Sequence, residues 1–121
     1  MGRFEELKVW QKGVDLAIAV YKVVKETALD KDFGLKDQMQ RSSVSISSNI
    51  AEGDELDTQK QSIKFFYIAK GSCAELYTQL LIAEKVGYIS KDQASKLKNE
   101  CQEISAMLGK LIGIRKRSIR P

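Results

Sequence analysis

The only proline of this 121-residue chain is Pro121, its last residue, so the interior lacks the residue that most reliably breaks a helix. Within that uninterrupted chain, apolar residues recur at steps of three and four, the period of one helical face. Leu7, Trp10, Val14, Ala17, Tyr21, Val24 and Ala28 mark such a stripe on a first helix. Asp30, Lys31, Asp32 and Gly34 end it, with Phe33 expected to fold back onto the core. Phe65, Ala69, Ser72, Leu76, Gln79, Ala83 and Val86 mark a third helix, opened by Thr58 and Gln61 as a capping box. Ser90 and Gln93 repeat that signal ahead of a fourth, along Ala94, Leu97, Cys101, Ile104, Leu108 and Leu111.

The second helix is the unusual one. Residues 41–53 read Arg-Ser-Ser-Val-Ser-Ile-Ser-Ser-Asn-Ile-Ala-Glu-Gly, and serine hydroxyls normally compete with helical hydrogen bonds. Yet Leu35, Met39, Ser42, Ile46, Asn49 and Gly53 keep the helical step, so a face of small and polar residues must lie close to its neighbours. Asn49 on that stripe would fix register as a buried amide. Gly53 is expected to end the helix, because glycine tolerates left-handed dihedrals, and Asp54 to Asp57 to form an acidic turn. Four amphipathic helices joined by short connections predict an all-α, up-down-up-down antiparallel four-helix bundle over residues 1–114.

The same residues carry a family resemblance. Phe4, Leu7-Lys8-Val9-Trp10-Gln11, Phe33-Gly34-Leu35, Gln38, the serine block, Phe66-Tyr67-Ile68-Ala69-Lys70-Gly71-Ser72, Glu75-Leu76, Thr78-Gln79-Leu80 and Gly87-Tyr88-Ile89 run nearly end to end. In these the chain resembles the small bacterial four-helix-bundle proteins encoded in intervening sequences of 23S ribosomal RNA genes. Ser47 stands where that family often has proline, and Gln40 where it often has a second arginine. The resemblance implies the bundle fold and a ring-forming homo-oligomer, typically a pentamer. It implies no settled molecular activity.

Composition narrows the chemistry. The chain has no histidine, which removes the usual general base near neutral pH, the commonest metal ligand and the Glu-x-x-His pairs of di-iron bundles. Serine catalysis then needs a lysine or terminal amine as base, and no Ser-x-x-Lys occurs in the serine block. Glu52, Asp54, Glu55 and Asp57 lack calcium-loop spacing. Cys73 and Cys101 form no Cys-x-x-Cys pair and fall at apolar helical positions, as reduced core thiols do, although the bend at Gly87 brings them to similar levels. These features predict no enzyme, no cofactor and no metal. Without an apolar signal core or membrane-spanning run, the chain is expected in the cytoplasm.

Charge points to one place. The net charge is +4, and Arg115, Lys116, Arg117 and Arg120 lie in the last seven residues, so the rest of the chain sums to zero. Residues 115–121 read as a basic tail beyond the last apolar stripe residue, Ile114, dispensable for the fold and suited to phosphates. Arg41, on a polar stripe with Ser45, Ser48 and Glu52, is a further candidate contact, with the lysines of the third helix next in line.

The third and fourth helices also carry more apolar surface than an inner stripe needs. Phe66, Cys73, Tyr77 and Leu81 make a second row, and Met107, Ile112 and Ile114 widen the fourth helix. Phe66, Tyr77 and Leu81 are therefore the expected contacts between copies of the chain. Ser105, Gly109 and Gly113 form a ladder of small residues that would let another helix approach closely. The expected function is a non-enzymatic, oligomeric bundle associated with RNA or another nucleic acid through a basic surface or tail. The alternative is a scaffold or accessory subunit whose partner is a protein.

Overall fold

The computed structural model describes residues 4–56 and 58–119. Four long helices account for most of them: α1 (Lys8–Glu26), α2 (Phe33–Glu55), α3 (Gln59–Lys85) and α4 (Lys91–Arg117). Two single 3₁₀ turns, Phe4–Glu6 and Ala28–Lys31, precede α1 and join it to α2, and the described residues contain no strand. Each helix packs against two neighbours, α1 on α2 and α4, and α3 on α2 and α4. Side-chain contacts fix the directions. Gln59 at the start of α3 meets Arg115 near the end of α4, whereas Glu84 near its end meets Lys98. Ser42 and Ser45 of α2 bond Gln79 and Ser72 of α3 in reverse order. The bundle is antiparallel throughout, as the helical periodicity predicts.

Local chemistry sets the ends. The Asp32 carboxylate accepts from the Leu35 amide at 3.0 Å and caps α2. Thr58 caps α3 by accepting from Gln61 N at 3.2 Å, one half of the expected box. At α4 both halves are present: Gln93 N donates to Ser90 Oγ at 3.0 Å and Ser90 N to Gln93 Oε1 at 2.8 Å. Gly87, at φ 87°, makes the α3–α4 turn, where a side chain would be strained.

The serine block is helical and its small face does bring helices together. Ser42, Ser43 and Ser47 are buried. A Cβ placed on Gly13 of α1 would stand 3.3 Å from Ser47 Cβ, so α1 and α2 meet backbone to backbone there. On the other side hydroxyls cross to α3: Ser42 Oγ donates to Gln79 Oε1 at 2.7 Å, and Ser45 and Ser72 share a hydrogen bond of 2.9 Å. Asn49 is half-buried and donates within its own helix, to Ser45 O and Oγ, so it steadies the Ser45–Ser72 link instead of setting register from the core.

Several expectations need correction. The buried side of α1 is Val9, Gly13, Leu16, Val20 and Val24, whereas Tyr21 and Ala28 are exposed and Trp10, Val14 and Ala17 half-buried. Phe33 is 74% exposed, under the Lys36 ammonium. Gly53 does not end α2, which continues to Glu55; a Cβ there would lie 2.8 Å from Phe66 Cε1. Phe66 itself is fully buried in the core and Ile112 nearly so, which removes Phe66 from any surface between copies. Tyr77 is half-buried beside Lys98, and Leu81 remains partly exposed.

Candidate nucleic-acid interface

Residues 115–117 of the expected basic tail are the last turn of a helix. Helix α4 continues through Arg117, so no boundary falls after Ile114, and Arg120 lies outside the described residues. Arg115 points inward. Its Nη2 donates to Asp54 Oδ1 at 2.9 Å, with the two side chains only 20% and 10% exposed, and its Nη1 reaches Gln59 Oε1 at 3.4 Å. The guanidinium sits 5.2 Å from the centroid of the Phe66 ring. The cation thus ties the end of α4 to Asp54 in the last turn of α2, where the sequence predicts an acidic turn, and its charge is consumed there. Arg41 is exposed but bonded to Asp37 at 3.0 Å. It rims a depression of ≈ 690 Å³ shared with Glu75, Gln79 and Tyr21, where two carboxylates offset one cation.

A different basic surface emerges from the pairing of α3 with α4. Residues 58–74 and 104–119 contain no aspartate or glutamate, yet they hold Lys60, Lys64, Lys70, Lys110, Arg115, Lys116 and Arg117. The antiparallel arrangement places these two segments side by side at one end of the bundle. Lys116 Nζ donates to Tyr67 OH at 3.0 Å across the seam. Lys70 is turned to the seam as well, donating to Ser105 O at 3.2 Å and Oγ at 2.9 Å. Lys60, Lys64, Lys110, Lys116 and Arg117 are exposed, and among the described residues none of them enters an ion pair. The surface is open at two of its glycines: a Cβ on Gly71 or Gly109 would meet nothing within 4 Å. The small-residue ladder at Gly109 is therefore open surface and not a helix contact within the chain.

The charge excess visible along the sequence is real, but the distribution in space is set by the helix pair. Lys60 and Lys64 are cancelled in a running count by carboxylates elsewhere in the chain, yet among the described residues neither forms an ion pair with one. The Lys70–Ser105 contact likewise joins residues 35 positions apart. It is no catalytic dyad, because the same nitrogen donates to the Ser105 carbonyl and Ser105 lies in mid-helix, where the backbone amides are already bonded.

Cys73 and Cys101 are buried free thiols that line one groove of ≈ 280 Å³ with Tyr77, Thr78 and Gln102. Burial pushes the Cys73 thiol up to about 11 against the opposing charge of Lys70. Burial, with the neighbouring Cys73, pushes Cys101 to about 12. Both are protonated near neutral pH and are poor nucleophiles. Among the described residues no cluster of three or more His, Cys, Asp or Glu could hold a metal ion, and no helix is long and apolar enough to cross a membrane.

Residues 5–110 match the family model of the 23S rRNA-intervening sequence protein. A crystal structure from Bacteroides thetaiotaomicron VPI-5482, described as a protein with unknown function from the S23 ribosomal protein family, superposes with a TM-score of 0.79. It is 26% identical, and the match covers 86% of this chain and 97% of that one. No curated protein matches the chain.

Proposed function

Because this chain belongs to the 23S rRNA-intervening sequence protein family, we propose that it is a non-enzymatic, homo-oligomeric bundle that holds RNA on the basic face of α3 and α4. One observation carries the reading: two adjoining helical segments without a carboxylate present Lys60, Lys64, Lys110, Lys116 and Arg117 outward. Such a surface attracts phosphates and releases their counterions, and its affinity falls steeply with salt. Arg115 belongs to the fold and Arg41 is peripheral. Absence of histidine, protonated thiols and the inward Lys70–Ser105 contact all weigh against catalysis.

Assembly is supported by apolar surface left outside the core. Ile18, Tyr21 and Val44 form one exposed set on α1 and α2, and Leu81 and Ile82 of α3 with Val86 just after it form another. A closed ring needs two different patches on each copy. Five copies remain the expected number on the family likeness, and a ring would repeat the basic face and raise avidity. The same apolar sets favour the second reading, a scaffold that docks another protein.

The deciding experiment is fluorescence anisotropy with labelled RNA over a salt series. Changing Lys60, Lys64 and Lys116 together to glutamate is expected to abolish most binding and reduce the magnitude of the log–log salt slope by roughly 2. Arg41→Glu is expected to change affinity less than about twofold. Equal binding by wild type and the triple variant would reject this face.

A further inference from the structure

Tyr67 stands in the middle of the basic face. The residue is 47% exposed. Lys64 lies one turn before it on the same side of α3, and Gly71 one turn after it, with open space where a side chain would be. The row from Lys60 to Gly71 spans roughly 16 Å of helix.

Lys116 fixes the phenol without covering it. An ammonium nitrogen 3.0 Å from the hydroxyl oxygen and 5.4 Å from the ring centroid lies off the oxygen edge of the ring. From that position it lies beyond the hydroxyl oxygen and not over the ring carbons. The exposed side of the ring is left to other contacts, and the hydroxyl is tethered to Lys116.

We propose that Tyr67 is a stacking platform for an unpaired base, and that the α3–α4 face selects single-stranded over duplex RNA. The inference rests on the basic-face reading above and adds the class of ligand. In a duplex the base faces are stacked on one another and only phosphates and groove edges are available, so Tyr67 would contribute nothing. A single strand offers phosphates to Lys60, Lys64 and Lys116 and a π-face to Tyr67 at the same time. Stacking on an aromatic ring tolerates any base, so sequence preference is expected to be slight.

The test compares a labelled, unstructured single-stranded RNA with a blunt RNA duplex of the same length, at low and moderate salt. Wild type is expected to bind the single strand at least about tenfold more tightly. Tyr67→Ala should weaken single-strand binding by roughly five- to hundredfold, the range of one lost base stack. It should leave duplex binding and the salt slope unchanged, since no charge is removed. Tyr67→Phe and Tyr67→Trp should retain the preference, and the Trp variant should show indole quenching on binding beyond that of the native Trp10. Tyr67 is surface-exposed, so circular dichroism of Tyr67→Ala should match wild type; if it does not, the Trp quenching decides. Equal affinity for strand and duplex, or a Tyr67→Ala variant within twofold of wild type, would overturn the stacking role and leave a purely electrostatic face. Binding of neither RNA at low salt would instead overturn the basic-face reading itself.

Discussion

Gly53 of α2 and Phe66 of α3 occupy each other's space: a Cβ at Gly53 would lie 2.8 Å from Phe66 Cε1, 3.0 Å from Cδ1 and 3.1 Å from the Ser62 carbonyl. In an isolated helix, Gly→Ala would gain up to about 1 kcal/mol from propensity. Here the ring is fully buried and capped by the Arg115 guanidinium, so it has nowhere to go. Overpacking should dominate, and Gly53→Ala is expected to lose about 1–3 kcal/mol in urea unfolding. Stabilisation by this substitution would mean that α2 and α3 separate there at little cost.

Arg115 extends the same corner. Truncating it would leave Asp54, whose side chain is 10% exposed, without its cation and would bare the Phe66 ring. Arg115→Ala is expected to cost about 1–3 kcal/mol, below the loss for a fully buried pair because both groups retain some solvent. Lys116→Ala, whose contact is at the surface, should stay within about 0.5 kcal/mol. For the same reason, deleting residues 115–121 should lower stability, contrary to the expectation of a dispensable tail. Equal stability of the two point variants would show that the Asp54 contact contributes nothing.

Much of this bundle is legible along the chain, and the failures have physical causes. The stripe of α4 from Ala94 to Leu108 is buried as its period predicts, because its outward positions are strongly polar. Helix α1 is apolar over a wider arc, so Trp10, Val14, Ala17 and Tyr21 compete with Val9, Leu16 and Val20. Gly13, whose missing side chain lets Ser47 approach, has no hydropathy to settle the matter. Phe65 and Phe66 are adjacent and chemically identical, yet only Phe66 is fully buried, because Gly53 leaves a space for its ring. The basic face was hidden for another reason. Lys116 and Tyr67 are 49 residues apart, and charge counted along a chain cannot show which cations the fold leaves without an ion pair.

The opposite end of the bundle should respond to pH. Tyr88 OH donates to Asp32 Oδ2 at 3.0 Å, tying the α3–α4 turn to the start of α2. The Leu35 amide first, then the Tyr88 hydroxyl, hold the Asp32 carboxyl below its ordinary value of 3.8. A depressed carboxylate contributes stability above its unfolded value, and that contribution is lost as pH falls through the folded value. Tyr88 is shifted the other way by the same bond and by the Asp32 charge, so its contribution is complete below about 10 and is lost as pH rises through its raised folded value. Melting temperatures followed from pH 2 to 6 should show a smaller acid-limb rise for Asp32→Asn than for wild type. Tyr88→Phe should remove part of the same rise. Superimposable acid limbs would reject the tie as a contributor.

Assembly gives the most discriminating prediction. Sedimentation equilibrium should return a multiple of 13.6 kDa, five if the family likeness holds, and a clean monomer at tens of micromolar would end the proposal. In a head-to-tail ring the Ile18–Tyr21–Val44 set of one copy meets a different patch on the next, with the Leu81–Ile82–Val86 set as the proposed counterpart. Val44→Glu should therefore disable one face and Leu81→Glu the other, each yielding monomers that keep their helicity, since both side chains are already partly exposed. Mixing the two variants is the sharper experiment. Each still carries one intact face, so the mixture should form heterodimers and nothing larger. A self-complementary interface would give no such rescue, and a ring that survives Leu81→Glu would move the contact away from the outer row of α3.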